Sequence, residues 1–173
     1  MKHHSAARLR LSAAALVAIL VVLSLGAGSW ARRILPGTPA ELGPLQLRLT
    51  FNSGVAFGLG NALPLWVVAA VTGSITAGLA VYAWRAAREA GPVTMIALGS
   101  ILAGAVSNVI DRLVNGAVTD YFHTGWWPTF NLPDVYITCG VAALIVTSLL
   151  THPRAGPEPE PRSGESAAPG GGE

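Results

Sequence analysis

The chain has 173 residues, enough for about one domain, and 51% of them are apolar while only 12% are charged. Soluble domains carry roughly 25% charged residues, so these charges cannot cover a water-facing surface; the same figures exclude disorder over most of the length, and one cysteine excludes a disulfide framework or a cysteine-built zinc site. The net charge of +2 comes from scattered Lys and Arg with no basic stripe or interleaved aromatics, so no nucleic-acid partner is expected. The composition is that of an integral membrane protein.

Arg10 and Arg32 enclose 21 uncharged residues, and the Leu, Val, Ile and Ala of 11–27 predict a first membrane span over about residues 11–29. A cleaved signal peptide is the competing reading for residues 1–30, but the apolar run is long for one and Ala27-Gly28-Ser29 is a loose cleavage site. In the loop that follows, Leu45, Leu47, Leu49 and Phe51 alternate with Gln46, Arg48, Thr50 and Asn52, which predicts a half-buried strand. Asn52-Ser53-Gly54 ends it with turn chemistry. A second span is expected over about 63–84 and a third over about 92–111; Val118–Phe122, in the second long loop, is a candidate partner strand. The fourth span is expected over about 134–151. In lipid each segment must satisfy its own backbone hydrogen bonds, so all four are helices. The expected fold is an all-α integral membrane protein, four transmembrane helices in a domain over 1–151, with a small extracytoplasmic β-cradle. The Pro-Glu-rich, Gly-ended stretch 152–173 predicts a disordered tail.

Seven of the eleven basic residues, Lys2, Arg8, Arg10, Arg85, Arg88, Arg154 and Arg162, fall at the termini and in the short second connection. Only Arg32, Arg33, Arg48 and Arg112 fall on the opposite side, which predicts cytoplasmic termini and two extracytoplasmic loops, about 28–62 and 112–133. Thr72, Ser74, Thr76 and Thr94 read as helix-packing contacts. Trp126, Trp127 and Tyr121 read as an interfacial anchor, with a substrate wall as the alternative.

All three aspartates, Asp111, Asp120 and Asp134, lie within 24 consecutive residues at the outer ends of the third and fourth spans. In so apolar a chain, carboxylates gathered at one membrane face mark a functional site. Other chemistries lack their parts. The only lysine, Lys2, is on the far side, no His-Glu-x-x-His or Gly-x-Ser-x-Gly occurs, and Cys139 reads as a buried apolar filler within the fourth span. His123 with Asp120 would be half a metal site, without a second outer histidine; no metal or cofactor is expected. Two carboxyl groups acting as acid and base remain, one protonated and one ionised because neighbouring carboxylates resist ionising together. Asp111 is followed directly by Arg112, and Gly104, Asn108, Asp111 and Arg112 recur at helical spacing on one face of the third helix, a polar structural seam in which Asp111 pairs with Arg112 and stays ionised. Asn131, Pro133 and Asp134 fit an N-cap, an early helical position and N3, a capping box. Asp120 has only a solvated loop carboxylate as its bland alternative. The residues by themselves leave a catalytic pairing of Asp120 with Asp134 open.

Four ordered blocks resemble the signal peptidase II family of bacterial lipoprotein signal peptidases: Asn52–Phe57, Gly104–Arg112, Val118–Tyr121 and Phe130–Asp134. The resemblance implies a plasma-membrane aspartyl endopeptidase with Asp120 and Asp134 as its catalytic dyad. It also implies that Asn52, Gly54, Asn108, Arg112 and Asn131 shape the site or contact substrate, while Asp111 and Gly104 are structural. The implied substrate is a prolipoprotein whose lipobox cysteine already bears a diacylglyceryl group, cut just before that cysteine. Membrane lipids are the other expected partners and a monomer the expected state. Ser107 stands where the family usually has a glycine, Pro133 where it has alanine, and residues 25–32 lack the aspartate common at the end of the first helix. The alternative is a divergent, weakly active or inactive paralogue that binds lipopeptides.

Overall fold

The computed structural model describes residues 2–37, 39–54 and 63–151. Val55–Phe57 of the first block and the tail 152–173 lie outside the described residues. The chain forms four helices, α1 (Lys2–Ile34), α2 (Leu65–Ala86), α3 (Pro92–Asn115) and α4 (Leu132–Thr151), and three strands, β1 (Ala40–Leu42), β2 (Leu45–Asn52) and β3 (Val118–His123). All four helices are long and apolar enough to cross a membrane. Their outward faces carry exposed Leu11, Ile19, Val22, Val71 and Leu149, the side chains that a hydrocarbon solvent accepts.

Helix boundaries follow local chemistry more than the edges of the apolar runs. α1 continues past residue 29 to Ile34, bringing Arg32 and Arg33 into its last turn, where cations suit the negative end of the helix dipole. α3 begins with Pro92 at its first position and ends at Gly116, whose φ of 80° is the left-handed C-terminal conformation. α4 begins at Leu132, two residues before the expected start, because Asn131 caps it. Its side chain accepts the Asp134 N–H at 2.9 Å, and the Asp134 carboxylate accepts the Asn131 N–H at 3.2 Å. Pro133 lies within the first turn, where a missing N–H costs no helix bond.

The strands form an antiparallel sheet in the order β1-β2-β3. β2 and β3 are the two expected strands; β1 is too short for its sequence pattern to have shown, and it turns into β2 through Gly43 at φ 72°. Thr50 pairs with Asp120, Phe51 with Thr119 and Asn52 with Val118, with an irregularity between Leu47 and Thr50. This register carries Asn52 to the Asp120 end of β3.

α3 is the central helix, packed by α1, α2 and α4. Towards the 85–92 turn the core is Ala83, Ala87, Met95 and Leu98; beneath the sheet it is Ala31, Leu35 and Tyr121. α3 and α4 approach through glycine, as membrane helices do where packing replaces the hydrophobic drive. A Cβ on Gly104 would strike the Pro133 carbonyl and stand 2.7 Å from Ile137 Cγ1, and one on Gly140 would stand 2.7 Å from the Ala97 carbonyl. Ser107, buried on the same helix, turns its hydroxyl onto the Ala103 carbonyl at 2.7 Å and so brings no unpaired polar group into the seam.

Three expectations change here. Thr72, Ser74 and Thr76 bond carbonyls one turn back in α2, at 2.8, 2.7 and 2.7 Å, instead of joining helices. Cys139 is exposed on α4, not buried; apolar residues surround that helix on every side, so its sequence carries no sign of which face packs. Tyr121 is 3% exposed and packs on α1, so it is no interfacial anchor.

Gly104→Ala should force α3 and α4 apart and cost about 1–3 kcal/mol, the usual penalty of an overpacked contact. Thermal unfolding in detergent should show a lower Tm, whereas Gly73→Ala, where a Cβ meets nothing within 4 Å and alanine favours the helix, should not lower it.

Candidate active site

At one end of the bundle, α3, α4, β3 and the 124–131 loop bring the polar residues of the second half of the chain together. Asn131 is the hub. Its Nδ2 donates to Asp120 Oδ1 at 2.8 Å and to Asn108 Oδ1 at 3.2 Å, while its Oδ1 caps α4. Asn108 Nδ2 in turn donates to Asp134 Oδ1 at 3.0 Å. Asp120 and Asp134 are thus joined through two asparagines with every amide hydrogen-bonding position facing a partner or the cavity, the condition under which a polar network can be buried. Asn131 itself is 2% exposed.

The capping box and the carboxyl site are one object. Asp134 uses Oδ2 to close the box and presents Oδ1 to Asn108, so the capping geometry fixes the side chain that lines the cavity. The cavity, of about 440 Å³, is lined by Asp120, Asp134, Asn52, Asn108 and Arg112 together with apolar and hydroxyl side chains of α2 and α4, including Ile75, Thr76 and Ile137. Trp127 also lines it, which favours a wall over an anchor; Trp126 beside it is 80% exposed.

Burial pushes the Asp120 carboxyl up to about 7, and the nearby Asp134 pushes the same way; hydrogen bonds from Asn52 and Asn131 oppose them. Arg112 is buried and donates from Nη2 to the Gly54 carbonyl at 2.7 Å, and Gly54 N–H donates to Asn52 Oδ1 at 3.1 Å. Arg112 Nε is buried with no hydrogen-bond partner among the described residues. The turn after β2 is thereby tied to α3, beside the carboxyls.

Of the expected site residues, Asp120, Asp134, Asn52, Asn108 and Arg112 line one cavity; Asn131 is buried behind them, bonded to Asp120 and Asn108, and Gly54 reaches the cavity through Arg112. Asp111 is outside it, and its ion-pair partner is Arg32, at 2.9 Å, not Arg112. Adjacent helical residues point about 100° apart, so Asp111 faces α1 while Arg112 faces the cavity. Arg32 and Thr119, which also bonds Asp111, were not foreseen; the signal was an arginine at the very end of an otherwise uncharged span. His123 contacts Thr129 at 3.3 Å, and its strand position, three residues from Asp120, puts it on the other face. No group of three or more His, Cys, Asp or Glu positioned for a metal occurs among the described residues.

A four-helix membrane bundle with a cavity lined by two carboxyl groups beneath a small sheet defines a class of polytopic membrane protein with a polar site at one end. The family model for signal peptidase (SPase) II matches residues 9–150, and the chain belongs to that family. It is 38% identical over 114 residues to the lipoprotein signal peptidase of Syntrophomonas wolfei, covering 65% of this chain and 73% of that one. To the lipoprotein signal peptidase of Mycolicibacterium smegmatis it is 32% identical, covering 92% and 72%, and to that of Methylorubrum extorquens 35%, covering 81% and 88%. Two solved bacterial membrane enzymes share the fold. One has a TM-score of 0.68 at 22% identity over 80% of this chain and 88% of its own, the other 0.67 at 24% over 82% and 94%.

A carboxyl raised to about 7 in the folded protein, against 3.8 ordinarily, holds a proton in the folded state that the unfolded state has released. Its contribution to stability is therefore present at low pH and lost as pH rises from about 4 through about 7. Asp120→Asn, which keeps an acceptor for Asn131, should remove this dependence: its Tm should exceed that of the parent at pH 8 by more than at pH 5, read by thermal unfolding in detergent.

Proposed function

We propose that this protein is an aspartic endopeptidase that removes the signal peptide from diacylglyceryl-modified prolipoproteins, with Asp120 and Asp134 as its catalytic pair. The observation that carries the reading is the Asn131–Asn108 bridge, which joins two carboxyl groups that line one cavity together with apolar and hydroxyl side chains of α2 and α4. Relatives named lipoprotein signal peptidase support the substrate class.

The pair holds one proton between them. Asp134, with N–H donors on both oxygens, suits the charged role; Asp120, raised to about 7, suits the protonated one. Asp134 takes a proton from water as the water oxygen attacks the scissile carbonyl carbon, and Asp120 gives its proton to the carbonyl oxygen. The tetrahedral diol then collapses: Asp134 passes its proton to the departing amine as the C–N bond breaks, Asp120 takes the proton of one diol hydroxyl as the carbonyl re-forms, and the pair again holds one proton. No covalent intermediate forms. Arg112 and Asn52, which line the cavity beside the pair, hold the peptide backbone, while the apolar lining side chains of α2 and α4 accept acyl chains.

The charge distribution supports cytoplasmic termini and an extracytoplasmic site, level with the lipid that bears the substrate. Residues 1–151 act as one membrane peptidase domain, with 152–173 as its cytoplasmic tail. A monomer suffices, since one chain supplies every residue of the site.

Asp120→Asn and Asp134→Asn should each lower turnover of a diacylglyceryl-modified prolipopeptide by about 10³-fold or more, with the folded protein retained in detergent. Turnover at the parent rate in either variant would overturn the dyad. The same peptide with an unmodified cysteine should be cut poorly; equal cleavage would remove the lipid requirement.

A further inference from the structure

The cavity occupies one face of β3, and a separate cluster grips the other. Side chains alternate along a strand, so the orientation that sends Asp120 to Asn131 sends Thr119 into the seam between α1 and α3, where it is 1% exposed. There Arg32 Nη1 donates to Thr119 Oγ1 at 2.7 Å and to Asp111 Oδ1 at 2.9 Å. Asp111 Oδ2 accepts the Thr119 backbone N–H at 2.7 Å, and Asn115 Nδ2 donates to Asp111 Oδ1 at 2.7 Å. Backbone and side chain of the residue next to Asp120 are therefore both clamped, and one guanidinium links α1, α3 and β3.

Sheet pairing does not do this alone. The β2–β3 ladder is irregular between Leu47 and Thr50, next to the Thr50–Asp120 pair, so regular pairing is interrupted beside the functional residue. Arg32 reaches the cluster by leaning back along α1, as helical side chains do, over Gly28 one turn earlier. Gly28 is buried, and a Cβ there would stand 3.6 Å from Arg32 Nη1; a larger side chain would occupy the guanidinium's place.

We propose that Arg32 is a positioning residue for the carboxyl pair: by holding Asp111 and Thr119 together it sets the depth and rotation of β3 and so directs Asp120 at Asn131. The inference rests on the aspartic reading above. Arg32 touches neither the cavity nor the reacting groups, and acts through the strand.

Three variants test it with the diacylglyceryl-modified prolipopeptide. Arg32→Met keeps the stem and removes the guanidinium, Arg32→Lys restores a cation, and Gly28→Leu displaces the guanidinium without altering Arg32. Arg32→Met should lower kcat by about a hundredfold, the scale of a small misplacement of a reacting group, with KM changed less than about twofold. The limb of its kcat–pH profile that belongs to Asp120 should move to lower pH as the carboxyl gains water. The charged groups facing Asp120 are Asp134 from α4 and Arg112 and Asp111 from α3; losing the Arg32 cation leaves Asp111 unpaired, which by itself would move the Asp120 limb to higher pH, so a limb moved to lower pH reports displacement of Asp120. Arg32→Lys should recover most of the loss, and Gly28→Leu should reproduce it.

A lower Tm for Arg32→Met with parental kcat and pH profile, measured well below that Tm, would overturn the proposal by making the cluster merely structural. Should the Met variant fail to fold, Gly28→Leu decides: parental kcat overturns the proposal and a matching kcat loss with a shifted limb sustains it. Asp120→Asn measured alongside separates the two readings. If it retains turnover the aspartic reading falls, whereas a dead Asp120→Asn beside a fully active Arg32→Met removes only the role of Arg32.

Discussion

The approach of α4 to α3 at Gly104 is the contact on which the rest depends. With no side chain at 104, the Pro133 carbonyl lies directly against α3, and the start of α4 is brought to the depth of Asn108. From there Asn131 reaches Asn108 and Asp120 together while capping its own helix. A helix terminus normally spends its cap on its own stability; here the same hydrogen bonds also carry one carboxyl into a cavity. Fold and site share atoms, so Asp134 serves both.

The second constraint is the cost of burying charge. Two carboxyl groups away from water would be strongly disfavoured if both were ionised and unpaired. The chain meets this with neutral asparagine donors at the pair and reserves direct ion pairing for Asp111, whose partner is Arg32. A neutral donor steadies a carboxyl without pinning its charge, so Asp120 can rise to about 7 and exchange a proton near neutrality. A guanidinium bonded directly to it would have favoured the ionised form. Three aspartates of one local cluster thus have two different jobs, divided by what each hydrogen-bonds.

Much of this was legible beforehand. Uncharged runs gave the four helices, because lipid tolerates only self-satisfied backbone, and alternation at residues 45–52 gave β2. The Asn131–Asp134 spacing gave the cap, since capping is local and its signal lies within four residues. Pro133, a departure from the family pattern, sits in the first turn of α4 where proline is accommodated, and the cap forms around it. Less visible were contacts between segments distant in sequence. Asp111 beside Arg112 suggested an ion pair, but neighbours on a helix diverge, and the partner lay 79 residues away. The exposure of Cys139 is hidden for a related reason: in a helix apolar on all sides, periodicity does not tell which face meets protein and which meets lipid, and the burial of Tyr121 against Ala31 and Leu35 is likewise a contact between distant segments.

Composition and local pattern alone determined the compartment, the number and rough extent of the spans, the strand and the cap, because each follows from hydrogen bonding or solvation within a few residues. Which carboxyl faces the cavity and which is tied to α1 was decided only in three dimensions. That choice depends on the rotation of α3 and β3 about their own axes, set by Gly104 against Pro133 and by Arg32 against Thr119, and a rotation is a property of packing that no single segment encodes.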